Sequence, residues 1–215
     1  MNARVVEVLA RYEERLQRED SVVAGFTADE YLENRDDCLL GIGAATGRFL
    51  NILIKAARPR MIVEVGTSYG YSTLWLAEAA ATLGSQVLSL ELSQAKIEYA
   101  RARLEEAGLV SVVTFAAGDA LLHLESLRFK VDFVLIDLWK ELYIPAFDHL
   151  YPHLADGALI AADNICLPAL HAAAMKKYVD HVRSVPGIES VTVPVGSGIE
   201  LSRFSYEYEE GHSRS

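Results

Sequence analysis

Apolar and polar positions divide the chain into two regimes. Up to residue 58 the apolar residues recur at helical spacing, and Val5, Val8, Leu9, Tyr12 and Leu16 form one stripe of an amphipathic helix. Thr27-Ala-Asp-Glu30 has the form of a capping box that opens a second helix running to about Cys38. A third is expected over Ala44 to Ala57, between the Gly41-Ile-Gly43 break and Arg58-Pro59. From Met61 onward short β-branched runs alternate with helix-forming stretches. That alternation predicts strands near 61–66, 86–91, 112–117, 131–137 and 158–163, with helices near 72–83, 94–107, 119–127, 141–153 and 168–184. Ile62, Val63 and Val65 are apolar on both faces, as in a parallel strand covered on two sides. The last two runs, 188–195 and 199–204, are joined by Gly196-Ser-Gly198, a hairpin signal that adds an antiparallel strand. The expectation is a doubly wound, mostly parallel α/β sheet in one domain: accessory helices over 1–58, a core over 59–205 and a polar tail over 206–215.

Composition narrows the partners. With 30 acidic against 20 basic side chains the formal charge is −10, which opposes the phosphate contacts that nucleic acids require. No apolar run approaches the roughly 20 residues that cross a bilayer, and no secretory signal is visible, so a cytoplasmic protein without membrane contact is expected. Cys38 and Cys166 lack metal-ligand spacing and the numbers of a disulfide framework; free buried thiols are expected.

Candidate chemistry concentrates at strand ends. Met61-Ile-Val-Glu-Val-Gly-Thr-Ser-Tyr-Gly-Tyr-Ser72 reads as strand, tight turn and helix, with Gly66 and Gly70 allowing a ligand close to the backbone and the free N–H groups of the helix facing it. The glycines stand four apart, unlike the G-x-G-x-x-G of dinucleotide sites. Glu91 ends the next strand roughly 20 residues on, where a carboxylate commonly accepts from ribose hydroxyls. A nucleoside without phosphates, such as S-adenosylmethionine, fits this pair of features; a nicotinamide cofactor or a purely structural turn are the alternatives. Asp137 and Asp163-Asn164 end two further strands at the same edge of the sheet. Two carboxylates and an amide are hard oxygen donors suited to Mg²⁺ with positions left open, although either aspartate alone could simply cap a helix. Lys140 could project over the same cation and serve as a general base, or be a solvated surface lysine, and Trp139 could pack in the core or cover an adenine. His149 and His153 stand four apart, but Pro152 spoils the shared helical face of a zinc pair.

Together, Glu64-Val-Gly-Thr-Ser-Tyr-Gly-Tyr-Ser72, Ile136-Asp-Leu-Trp-Lys-Glu-Leu-Tyr143 and Ala161-Ala-Asp-Asn-Ile-Cys166 resemble the cation-dependent class I O-methyltransferases, most closely the catechol enzymes, over about residues 38–204. The resemblance implies a Rossmann-like class I methyltransferase fold, of which the terminal hairpin is a mark, and Mg²⁺-dependent methyl transfer from S-adenosylmethionine to a hydroxyl of a vicinal diphenol. It implies Asp137, Asp163 and Asn164 as metal ligands, Lys140 as base and Glu200 as the residue orienting a substrate hydroxyl. For the cofactor it implies Gly66, Ser72, Glu91 and Trp139, with Ile42 and Glu64 near the methionine end and Asp119 and Ala120 near the adenine. Trp139 stands where the caffeoyl-CoA enzymes usually carry a second aspartate, and with Glu200 it points toward catechol. Departures fall on the substrate pocket: Leu138 replaces a histidine, Cys38 a tryptophan, and Leu167 intervenes before Pro168. A caffeoyl-CoA-like or broad flavonoid O-methyltransferase is the nearest alternative; a nicotinamide oxidoreductase and a non-catalytic S-adenosylmethionine-binding protein are more distant ones. The expected partner is a small phenolic molecule, with a homodimer compatible with the sequence but not specified by it.

Overall fold

The computed structural model describes residues 1–27, 30, 34–166 and 169–206. Its centre is β1 (Met61–Val65), flanked in parallel by β2 (Gln86–Glu91) and β4 (Val131–Ile136). With β3 (Val113–Ala117), β5 (Leu154–Ala162), β6 (Ile188–Val193) and β7 (Ile199–Phe204) they form one seven-stranded sheet ordered β3-β2-β1-β4-β5-β7-β6, in which β7 runs antiparallel to both neighbours. The side chains of β1 alternate between two buried faces. Ile62 joins Phe133 in a core roofed by α1 (Ala3–Val23), α2 (Gly43–Ala57) and α3 (Tyr71–Leu83). Val63 and Val65 join Val134, Phe147 and Tyr178 in a second core under α6 (Tyr143–Leu150) and α7 (Ala169–Ser184). The remaining crossovers carry α4 (Gln94–Ala107) and α5 (Ala120–Glu125). Two apolar faces on one strand are what the unbroken β-branched run required.

Several boundaries differ from expectation for identifiable reasons. The helix expected over 141–153 is a 3₁₀ turn at Lys140–Leu142, then α6, then a second 3₁₀ turn at Tyr151–His153, where Pro152 has no N–H for the helical ladder. Strand β5 begins at Leu154 instead of 158 because a register shift opposite Val131–Phe133 lets Leu154 pair with Val131. The second helix lies in part outside the described residues, but its capping box is formed: Thr27 N–H donates to Glu30 Oε2 (2.8 Å) and Glu30 N–H to Thr27 Oγ1 (3.3 Å). Most of the expected polar tail also lies outside them. Tyr206, its first residue, is tied down, with its N–H on Asp156 Oδ1 (3.0 Å) and its hydroxyl on the Leu154 carbonyl (2.9 Å). Of the thiols expected to be buried, Cys38 is half-buried and Cys166 is exposed.

Helix α1 does more than cover the core. Its Tyr12 hydroxyl donates to the carbonyl of Tyr69, inside the glycine turn, at 2.6 Å. The Arg15 guanidinium lies 4.3 Å from the centre of the Tyr69 ring and donates to the Asp37 carbonyl. Glu19 accepts from Leu39 N–H at 2.6 Å. Tyr12, Arg15 and Glu19 of α1 thus hold both the glycine turn and the segment that leads into α2. Among the described residues, no helix is long and apolar enough to cross a membrane.

Candidate active site

Strand register alone assembles the site. Val65 pairs with Ile136 and Ile136 with Ala162, so Gly66, Asp137 and Asp163 each stand one residue past a paired neighbour. The ladder carries one step further: Asp137 N–H donates to the Val65 carbonyl (3.0 Å), Asp163 N–H to that of Ile136 (3.1 Å) and Gly66 N–H to that of Leu90 (3.1 Å), just before Glu91. Glu91, Gly66, Asp137 and Asp163 therefore form a row along the carboxyl edge of four parallel strands. The strand order reverses between β1 and β4, and a crevice at that switch is where doubly wound sheets take ligands. Gly66 is required for the row to close: at its φ of +105° a Cβ would sit 2.1 Å from the Asp137 carbonyl oxygen.

Lys140 lies in the middle of the oxygen-rich half. Its Nζ donates to Asn164 Oδ1 (2.6 Å), the Tyr143 hydroxyl (2.8 Å) and the Leu138 carbonyl (3.2 Å), and stands 3.8 Å from Asp137 Oδ1. Burial lowers the lysine pKa, against the attraction of Asp137, Asp163 and Glu141. Burial also raises that of Asp137, against Lys140, and pushes Asp163 up to about 7, with Asp137 adding to the rise. Asp163 is buried; its Oδ2 accepts from the Asn164 amide (3.0 Å) and its Oδ1 has no partner among the described residues. Asn164 holds a left-handed φ of +63°, a conformation that asparagine tolerates better than most residues. The orphaned Asp163 oxygen, the Asp137 carboxylate and the Asn164 amide oxygen, the last two within 4 Å of the half-buried Lys140 Nζ, form a donor set that fits one divalent cation. Among the described residues no group of three His, Cys, Asp or Glu is arranged to hold a metal, so the set depends on its amide.

The other half of the row fits a cationic nucleoside. Glu64 is fully buried in β1; its Oε2 accepts from Thr73 (2.6 Å) and Ser89 (2.5 Å), while Oε1 has no partner among the described residues. Burial pushes its carboxyl up to about 7, against the hydroxyls of Ser72, Ser89 and Thr73. An unpaired buried carboxylate oxygen is a strong acceptor waiting for a donor, and an α-ammonium group would complete it. Glu91 is pinned by backbone N–H groups, Ser68 on Oε2 (2.8 Å) and Ser93 on Oε1 (2.9 Å). Ser72 lies in the first turn of α3, whose N-cap Gly70 supplies no side-chain acceptor, and Ile42 caps α2. Asp119 caps α5 through Leu121 N–H (2.8 Å), with Ala120 as the first helical residue, and Trp139 caps the 3₁₀ turn that carries Lys140.

Glu200 bonds to groups other than those of the cluster. It is opposite Ala162 on β7, on the α6–α7 face of the sheet, fully buried. Its carboxylate accepts from Arg183 Nε (2.7 Å) and Nη2 (3.1 Å), Ser190 (2.6 Å) and Thr192 (2.5 Å). Orienting a substrate hydroxyl would require it to exchange those bonds. Leu167 and Pro168 lie outside the described residues. Two contacts went unread in the sequence, the Tyr143 hydroxyl on Lys140 and the hold of Tyr12 on Tyr69; the only sequence signal was Tyr143 standing three residues past the lysine, on the same turn.

A family model described as O-methyltransferase matches residues 26–204. Among named relatives, caffeoyl-CoA O-methyltransferase 2 of Eucalyptus globulus is 30% identical over 188 residues, covering 77% of this chain and 75% of the relative. Catechol O-methyltransferase of Mycobacterium tuberculosis is 35% identical over 127 residues, covering 59% and 57% respectively. An O-methyltransferase structure from Bacillus cereus, in complex with SAH, superposes with a TM-score of 0.73 over 95% of this chain and 92% of that one at 23% identity, a likeness of fold.

Proposed function

Since the chain belongs to the S-adenosylmethionine-dependent O-methyltransferase family, we propose that it methylates one hydroxyl of a vicinal diphenol with the help of a divalent cation such as Mg²⁺. The observation that carries this reading is the half-buried Lys140 Nζ, 2.6 Å from Asn164 Oδ1 and 3.8 Å from Asp137 Oδ1, together with the Oδ1 of Asp163, unpaired among the described residues. Asp137, Asp163 and Asn164 would hold the cation; Gly66, Ser72, Glu64, Glu91, Ile42, Asp119, Ala120 and Trp139 would hold the cofactor. When bound, the cation supplies a Lewis acid that acidifies a phenol and fixes both its oxygens, and the cofactor supplies a methyl group on a positively charged sulfur. Lys140 takes the phenolic proton onto its amine. The freed oxygen pair forms the new O–CH₃ bond as the C–S bond breaks, leaving a neutral thioether and an ammonium on Lys140. No covalent link to the protein is needed.

Both relatives' names are compatible with this site, because a caffeoyl group itself carries a vicinal diphenol. Trp139 and the absence of a Lys/Arg cluster in a chain of charge −10 favour a small diphenol over its CoA ester, whose phosphates call for basic residues. The test is methyl transfer to simple catechols and to caffeoyl-CoA, with Mg²⁺ and with excess chelator. Turnover of catechols that chelator abolishes and Mg²⁺ restores is the expected result. Full turnover in chelator would refute the metal assignment, and exclusive use of the CoA ester would refute the substrate class.

A further inference from the structure

Two of the three acceptors around Lys140 Nζ belong to the scaffold. One is the Leu138 carbonyl at 3.2 Å; the other is the Tyr143 hydroxyl at 2.8 Å. Tyr143 is fully buried, and its ring centre lies 4.6 Å from Nζ. It packs edge-on against Tyr178 of α7, with ring centres 5.4 Å apart. Its own proton is committed to the main-chain carbonyl of Asp163 at 3.0 Å, so toward Nζ the phenol oxygen can present only lone pairs. The third acceptor, Asn164 Oδ1, is different in kind, because it belongs to the candidate cation-binding set.

We propose that Tyr143 is a positioning residue that aims the Lys140 amine. The inference rests on the reading of Lys140 as the base. A neutral amine has two N–H bonds and one lone pair at tetrahedral corners. With the N–H bonds spent on the Leu138 carbonyl and the Tyr143 oxygen, the lone pair occupies the remaining corner, the one now directed at Asn164. That corner faces the oxygens of Asp137, Asp163 and Asn164, where the reacting hydroxyl must arrive. The proton then passes from substrate oxygen to this lone pair without the amine turning. Without the Tyr143 hydroxyl one N–H loses its fixed acceptor, and the amine samples orientations in which the lone pair points elsewhere.

The experiment compares wild type, Tyr143→Phe, Lys140→Met and the double variant. Tyr143→Phe should lower kcat about tenfold, the scale of a misaligned proton acceptor, with KM for the diphenol and cofactor affinity by calorimetry within twofold of wild type. The double variant should be no slower than Lys140→Met, because the tyrosine acts only through the lysine. A kcat for Tyr143→Phe within twofold of wild type, or a double variant slower than Lys140→Met by the same tenfold, would overturn the proposal. Full activity in Lys140→Met would instead overturn the base assignment beneath it. A readout independent of turnover uses ¹⁵N-lysine-labelled protein. In spectra recorded at a pH low enough to keep Lys140 protonated, an ammonium held by three acceptors gives a slowly exchanging Nζ signal that Lys140→Met removes and Tyr143→Phe shifts or broadens. A wild-type spectrum without that signal would count against the geometry even if Tyr143→Phe failed to fold.

Discussion

Replacing Glu64 by glutamine tests how the central strand tolerates a buried acid. The carboxyl sits at 0% exposure with one oxygen unpaired and a pKa of about 7 against an ordinary 4.5. Because the folded-state value is raised, the protonated form is the one the fold prefers. The stability it contributes is present below about pH 4.5 and is lost as pH rises through 7. A separation of about 2.5 pKa units corresponds to roughly 3 kcal/mol in all, of which about 2.5 kcal/mol falls between pH 5 and pH 8. Glutamine mimics the protonated acid and cannot ionise. Urea unfolding of cofactor-free wild type and Glu64→Gln at pH 5, 6, 7 and 8 should show the wild type losing that amount relative to the variant, whatever the other titrating groups contribute to both. With S-adenosylmethionine present the order should reverse at pH 8, because an ammonium donor stabilises the ionised acid and glutamine offers it only a neutral acceptor. A difference between the two proteins that stays flat within about 0.5 kcal/mol from pH 5 to pH 8 would refute the reasoning, since a fully buried carboxyl with one oxygen unpaired cannot ionise without cost.

Asp163→Ala should abolish turnover and leave cofactor affinity within a fewfold of wild type by calorimetry; joint loss of both would indicate a fold defect instead. Gly66→Ala forces a Cβ to within 2.1 Å of the Asp137 carbonyl at a φ of +105° and should cost about 1–3 kcal/mol of stability and most cofactor binding; a variant melting and binding like wild type would show that the strand ends are not closed on each other. Glu200→Gln separates two roles. The bonds to Arg183, Ser190 and Thr192 imply a stability loss of about 1.5–3 kcal/mol with kcat/KM nearly unchanged, whereas a tenfold fall in kcat/KM at unchanged stability would support the substrate-orienting role implied by the family resemblance.

The row of strand ends was legible from the chain because each of its members closes an apolar run, and a parallel sheet brings the ends of such runs to one edge. Asp137 and Asp163 needed no knowledge of helices to be paired; Val65, Ile136 and Ala162 in register suffice. Glu200 was harder, since which face of β7 it occupies depends on a register with Ala162 that alternation in a single sequence leaves open by one residue. Tyr143 was hidden by the reading of 141–153 as continuous helix. The 3₁₀ turn at Lys140–Leu142 and the Asp163 carbonyl, 20 residues on, set its hydroxyl against the lysine. Tyr12 was read as one member of the apolar stripe of α1, and the hold of its hydroxyl on Tyr69 spans 57 residues of chain, beyond any local pattern.

The position of β1 between β2 and β4 has a consequence for biosynthesis. One edge of β1 is filled by β2 soon after it is made, but the other waits for β4, and the N–H groups of Arg60 and Met61 that meet Asp132 are separated from it by 72 and 71 residues. A nascent chain that has not yet delivered Val131–Ile136 beyond the ribosome therefore carries its most apolar strand with an open ladder, a template for pairing with another copy. Closing that edge is a high-separation event and slow by the cost of looping the intervening chain. Conditions that lengthen the pause before residue 131, such as rare codons placed in the stretch encoding β3 and α5, should lower soluble yield far more than the same codons placed after residue 162.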